Sequence, residues 1–186
     1  MAEFLLELFS EEIPANLQSA ARINLLESFK RFFEKENIIY KDDGKVFSTP
    51  NRLVLCFKKI EREIHQKSEE IRGPSTKAPD SAIEGFLKSN LIQKQDVYKK
   101  NTDKGEFFFY KKPSKKIKSE DILRTNIPKI LESLTWKKSM KWGGHGLYWG
   151  RPLKSILAIF DNKPVKFEFH HLLSSNSTFI DKDFEE

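Results

Sequence analysis

Residues 3–35 read EFLLELFSEEIPANLQSAARINLLESFKRFFEK, and their patterning decides the fold. Glu3 to Phe9 is a short apolar run closed by an acidic turn, the pattern of a strand covered on most of both faces. Pro14 stands where a proline is tolerated at the opening of a helix. Behind it Leu17, Ala21, Leu25, Phe29 and Phe32 recur at three- and four-residue spacing, so one apolar helical face runs to about Lys35. Asp42-Asp43-Gly44 then turns the chain. Lys45 to Ser48 and Arg52 to Ile60 have the composition of strands on either side of Thr49-Pro50-Asn51. Strand, helix and strand in this order predict an α+β fold with a helix packed on a small sheet, the third segment able to pair with the first.

Downstream, Arg72-Gly73-Pro74 followed by Pro79 predicts a loop and a boundary. The expected division is 1–71 for the first strand–helix–strand subdomain, 72–173 for a second α+β subdomain with hairpins, and 174–186 for an irregular tail. Ser81-Ala-Ile-Glu84 has the spacing of a capping box, in which hydroxyl and carboxylate each satisfy a free backbone N–H. The helix it opens would bury Ile83, Phe86 and Leu87. Val97 to Lys100 and Glu106 to Lys112 flank a glycine-containing turn, which predicts a hairpin. Its Phe107-Phe108-Phe109-Tyr110 is read as packing ahead of an RNA-stacking platform. Ser119 is expected to cap a helix through Leu134, with Pro128 kinking or restarting it. Ser155 to Phe160 and Val165 to Phe169 flank Asp161-Asn162-Lys163, the strongest hairpin signal in the chain. Ser174 to Glu186 carry no periodicity and suggest a truncated chain or an interrupted gene.

Sixteen phenylalanines supply large buried areas to a core short of Val and Ala. The net charge of +6 is compatible with a polyanionic partner, although many basic proteins touch no nucleic acid. Its distribution is uneven. Residues 1–36 carry seven acids and four bases, whereas residues 99–118 carry eight lysines against Asp103 and Glu106. A local positive field favours a binding face. The single cysteine, Cys56, cannot form an intramolecular disulfide, and its apolar flanks suit a small buried residue in a reducing, cytoplasmic setting. No apolar run reaches the roughly 20 residues of a membrane span, and the N-terminus lacks a basic leader.

Catalytic signatures are sparse. His65, His145, His170 and His171 lack zinc-ligand spacing, and the adjacent pair would face opposite ways on a strand. No metal site is expected. Glu11-Glu12 is read as helix-terminus electrostatics, because neither a base nor a nucleophile lies nearby in sequence. Phosphate-cradling glycine loops of the recognised kinds are absent. The informative segment is Trp136-Lys-Lys-Ser-Met-Lys-Trp-Gly143 with Trp149-Gly-Arg-Pro152. Lysines attract phosphates through counterion release, an arginine fork can hold one phosphate, and indole faces can hold an unstacked base. Equally, the tryptophans could anchor a loop to the core while the lysines face solvent. Both readings stand on the residues alone.

Taken together, the motifs resemble the family of β subunits of bacterial α2β2 glycyl-tRNA synthetases. Glu7-Leu-Phe-Ser-Glu-Glu-Ile-Pro14 looks like the family's opening motif, and Thr49-Pro-Asn-Arg-Leu53 is similar to its Pro-Arg-Arg-Leu strand start. Arg72-Gly-Pro74 with Pro79, Ala82, Gly85 and Phe86, Thr102-Asp-Lys-Gly-Glu106, and Lys138-Ser-Met-Lys-Trp-Gly143 with Arg151-Pro152 complete the series over residues 3–172. Asn51 stands where the family usually has a second arginine, and Phe179-Ile-Asp-Lys-Asp replaces a Gly-His-Arg-Phe-like continuation. The resemblance implies a part in ATP-dependent joining of glycine to tRNA(Gly), with ATP, Mg and catalysis on the α subunit. This chain itself would bind no cofactor and hold no catalytic residue. Its partners would be the α subunit, tRNA(Gly) and the remainder of the β subunit. The residues expected to contact tRNA are Arg52, Arg72, Lys137, Lys138, Lys141 and Arg151. A protein-docking scaffold without RNA contact, or an inactive gene fragment, are the alternatives.

Overall fold

The computed structural model describes residues 1–66, 68–103, 105–141, 144 and 146–179. In chain order the elements are β1 (Ala2–Ser10), α1 (Ala15–Lys35), β2 (Lys45–Ser48), β3 (Arg52–Ile60), β4 (Glu63–Gln66), β5 (Glu69–Ser75), α2 (Asp80–Asn90), β6 (Val97–Thr102), β7 (Gly105–Lys112) and β8 (Lys115–Lys118). They continue with α3 (Ser119–Glu132), β9 (Met140–Lys141), β10 (Tyr148–Trp149), β11 (Leu153–Phe160), β12 (Lys163–Pro164), β13 (Glu168–Phe169) and β14 (Leu172–Ser175). The fold is α+β, as the patterning predicts.

The chain divides into two compact units. One comprises residues 1–64 and 117–186, the other residues 65–116. Sequence patterning predicts boundaries at 71/72 and 173/174, in series along the chain. The observed division is an insertion, because β11 returns to pair with β1 and carries the later residues back into the first unit. Long-range strand pairing of this kind leaves no local mark in sequence.

In the first unit the main sheet runs β13-β14-β11-β1-β3-β2, with β12 also on β11. β1 is central and antiparallel to both neighbours. Phe4, Leu6 and Leu8 are level with Phe57, Leu55 and Leu53 of β3 and with Phe160, Ala158 and Ile156 of β11. All nine are buried, and α1 contributes Leu25, Phe29 and Phe33 to the same core. Phe29 lies 5.6 Å from Phe4, and Phe33 lies 5.0 Å from Phe57 edge-on. Leu17, Ala21, Leu25, Phe29 and Phe32 are buried as their spacing predicts, joined by Phe33. Gly44 requires its identity: φ is +68°, and a Cβ there would meet the Phe57 ring at 2.6 Å.

Several local expectations resolve differently. Glu11 and Glu12 stand at the β1–α1 junction, as expected, but ahead of the first turn of α1. Glu11 instead pairs with Lys154 at 2.6 Å. Ser119 is not a cap: the residue is fully buried, its hydroxyl donates to the Glu61 carbonyl, and its N–H donates to the Arg62 carbonyl. α3 runs continuously through Pro128 to Glu132, its apolar face of Leu123, Ile127, Ile130 and Leu131 outweighing one missing backbone bond. The Asp161-Asn162 turn forms with φ of 51° and 62°, the geometry of a two-residue hairpin. Its return arm is only Lys163–Pro164, because the edge of β11 is then taken by β14 in parallel. His170 and His171 occupy the turn before β14 rather than a strand, with His170 2.8 Å from Glu132. Ser174 and Ser175, expected in an irregular tail, end β14, while 180–186 fall outside the described residues. Cys56 is half-buried on the sheet face away from α1, and burial, then Glu3 and Asp42, push its thiol pKa up.

The hairpin turn is also clamped. Arg62 donates two 2.6 Å hydrogen bonds to the Asp161 carboxylate, which holds that carboxyl below its ordinary pKa. A lowered native pKa stabilises above the ordinary carboxylate range and loses that effect as pH falls through the lowered value. At neutral pH the parent chain should therefore melt at a higher temperature than Asp161→Asn. The gap should close below about pH 4. Parallel pH-dependent melts check this, and a gap that grows on acidification contradicts it.

In the second unit β5, β7 and β6 form an antiparallel sheet in that order. The predicted hairpin is present as β6 and β7, with Gly105 at φ +111°. Arg72-Gly73-Pro74 lies within edge strand β5 rather than in a loop, and a register shift between Arg72 and Ser75 absorbs the proline. α2 starts at Asp80 behind Pro79 with no side-chain cap, so the Ser81–Glu84 box is not used. Of the residues expected to be buried by this helix, Ile83, Phe86 and Leu87 are half-buried.

Candidate nucleic-acid interface

The six expected cations fall into three settings. Arg52 opens β3 opposite Phe9, and Arg151 precedes β11, whose Leu153 is opposite Ser10. The two arginines therefore flank the C-terminal end of β1. Both are engaged within the chain. The Arg52 guanidinium lies 3.5 Å from Glu7 and 4.8 Å from the Phe9 ring centre, and donates to the Phe179 carbonyl. Arg151 donates to the Glu12 carbonyl at 3.1 Å. Asn51, in the position where an arginine would be expected, donates its amide to the Ser10 carbonyl at 3.2 Å. That bond ties the β2–β3 turn to the end of β1, a structural use of the shorter side chain.

Lys137, Lys138 and Lys141 form the second setting. All three are exposed, and they make no ion pair among the described residues. Their support is apolar. Trp149 is 2% exposed, packed 5.2 Å from Trp136 and 6.1 Å from Phe169. A Cβ on Gly150 would lie 2.3 Å from the Trp136 ring, so the indole rests directly on that glycine. Asn24 of α1 donates to the Thr135 carbonyl at 3.1 Å, holding the segment from the other side. A cleft of about 340 Å³ lies at this junction, with Leu17, Ala21, Asn24, Trp136 and Lys137 among its walls.

The two readings of the Trp/Lys segment thus divide between residues. Trp136 and Trp149 anchor the segment, and the lysines are left exposed. Trp142 lies outside the described residues. Among the described residues of this segment, the aromatic ring that faces solvent is Tyr148, 65% exposed and paired across strands with Lys141. Sequence reasoning missed it, since only the β9–β10 register places it beside a lysine. Arg72 forms the third setting, in the other unit, where its guanidinium lies 3.7 Å above the Phe107 ring centre.

Among the described residues no cluster of three or more His, Cys, Asp or Glu could hold a metal ion, and no helix is long and apolar enough to cross a membrane. What the fold and site define is a basic α+β module that presents long, exposed cations and one tyrosine on apolar anchors. The family model described as glycyl-tRNA synthetase beta subunit matches residues 4–186, and the chain belongs to that family. Proteins named glycine–tRNA ligase beta subunit from Rickettsia bellii, Rickettsia prowazekii and Rickettsia typhi are 39%, 38% and 40% identical over 179 residues. Those alignments cover 96% of this chain, which spans 27% of each relative's length.

Proposed function

We propose that this chain is the N-terminal part of a glycyl-tRNA synthetase β subunit that grips tRNA(Gly) and supports assembly for ATP-dependent joining of glycine. Its setting is the cytoplasm. Catalysis, ATP and Mg belong to the α subunit, and this chain supplies position. Holding the acceptor arm where its terminal ribose meets activated glycine turns an encounter into an effectively unimolecular step. The observation that carries this reading is the exposed set Lys137, Lys138 and Lys141, without ion pairs among the described residues, on a segment anchored by Trp136 and Trp149. Long cations on a fixed base can reach phosphates without first breaking ion pairs. Arg52 and Arg151, being engaged, contribute by shaping the end of β1 and through the charge each guanidinium retains.

Filter binding of tRNA(Gly) against salt tests it. Each phosphate no longer neutralised should lower the log–log salt slope by about 0.7 to 0.9. Replacing all three lysines with alanine should therefore lower it by about 2 to 3. An unchanged slope rejects the assignment. A second reading, docking of the α subunit or the rest of β, draws on Phe47, 55% exposed on edge strand β2. Co-purification with α without RNA retention would support that instead.

A further inference from the structure

Five of the six net positive charges lie in the second unit. Residues 65–116 hold twelve Lys and Arg against seven Asp and Glu, a net of +5, while the larger first unit is nearly neutral. Three of those cations and Glu70 share one sheet face with aromatic rings. Register places Arg72 and Tyr98 opposite Phe109, and Lys100 opposite Phe107. Phe107, Phe109, Tyr98, Arg72, Lys100 and Lys111 therefore share a face by strand alternation. α2 packs on the other side: a Cβ on Gly73, whose direction alternates with that of Arg72, would meet the Phe86 ring at 2.9 Å.

The rings and cations of this face are layered. Tyr98 stacks on Phe109 at 6.3 Å with an interplanar angle of 28° and is itself 39% exposed. Lys100 lies 5.4 Å from the Phe109 centre and 2.6 Å from Glu70. Tyr98 donates to the other Glu70 oxygen, so Glu70 sets the rotamers of both. Arg72 sits 3.7 Å from the centre of the Phe107 ring, is exposed, and has no acidic partner among the described residues. Inner aromatics topped by an exposed tyrosine and a planar cation form a stacking surface. A role in packing alone would need those tops covered, and within this unit α2 lies on the opposite face.

We infer that the Tyr98–Arg72 face of the β5-β7-β6 sheet binds an unpaired RNA strand, stacking bases on Tyr98 and on the Arg72 guanidinium and drawing phosphates to Lys100 and Lys111. Sequence-tolerant recognition follows, because every base has a π-face and the one carboxylate on this face, Glu70, is engaged by Tyr98 and Lys100. Duplex RNA is excluded, since its bases are already stacked. The inference rests on the RNA-handling reading for its biological target but uses a different surface, so the two can fail separately.

Fluorescence anisotropy of the 186-residue chain with labelled oligouridylate, against a blunt-ended RNA duplex of equal strand length, tests the face. Oligouridylate should bind tighter than the duplex, with affinity falling as salt rises. Tyr98→Ala should weaken it by about 5- to 150-fold, the range for loss of one stacked base, while Tyr98→Phe retains binding. Arg72→Ala should weaken it comparably and serves if Tyr98→Ala unfolds, as read by far-ultraviolet circular dichroism. Alanine at Lys137, Lys138 and Lys141 should lower tRNA affinity by a larger factor than oligouridylate affinity, the reverse of Tyr98→Ala. Folded Tyr98→Ala and Arg72→Ala chains that bind like the parent would overturn the inference. So would equal affinity for the duplex, or self-association through this face with no strand bound.

Discussion

Phe33→Ala is expected to destabilise the first unit by about 3 to 5 kcal/mol, a large part of the stability of a typical domain. The ring is fully buried and touches Phe29 at 6.0 Å, Phe32 at 5.5 Å, Tyr40 at 5.5 Å and Phe57 at 5.0 Å. These rings join α1 to β3 and to the segment before β2. Truncation would remove the ring's burial and leave a void walled by rings that cannot close over it without leaving their rotamers. Urea unfolding should show a lowered midpoint with little change in slope. A loss under about 1 kcal/mol would mean that the aromatic cluster is not the centre of the core. Phe32, 7% exposed, is the control and should cost less, because part of its surface already meets solvent.

The second large effect should come from Gly150→Val, and it reports on function more than on fold. A Cβ at this position would stand 2.3 Å from one carbon of the Trp136 indole and 2.5 Å from the next. No rotamer change of the incoming residue relieves a clash made by its Cβ, so the indole must leave. Overpacking of this kind costs about 1 to 3 kcal/mol. The indole should then become more exposed, and its fluorescence should shift to longer wavelength. Lys137, adjacent in sequence, would lose its fixed base, and tRNA affinity should fall even though no cation has been removed. Fluorescence and filter binding on the same preparation check both parts. An unshifted spectrum with unchanged tRNA binding would sever the Trp136 anchor from the site. Gly150→Ala should give the same pattern, since it adds the same atom.

The contrast between these two positions shows what is legible without the structure. Phe29 and Phe32 are legible because a helix repeats its faces every three to four residues, and the same rule reaches Phe33, four residues after Phe29, which the stripe as read to Phe32 leaves out. What the helix pattern does not show is its partners: β3 brings Phe57, and the chain before β2 brings Tyr40, against that side of α1. Gly150 stands in the sequence only as part of Trp149-Gly-Arg-Pro152, with nothing local to say that a glycine is required there. Its requirement comes from a ring placed fourteen positions earlier in the sequence.

Local pattern was sufficient for the α+β class, the span of α1, the strands β1, β2 and β3, the β6–β7 hairpin and the family. Each of these is written in periodicity, turn chemistry or ordered motifs. Only the assembled sheets reveal that residues 65–116 form an insertion, that Trp136 and Trp149 are anchors while Tyr148 is exposed, and that Arg72 lies on Phe107. The physical reason is common to all three. Burial and stacking are set by which strand lies beside which and in what register, and a shift of one residue in register moves every side chain to the opposite face.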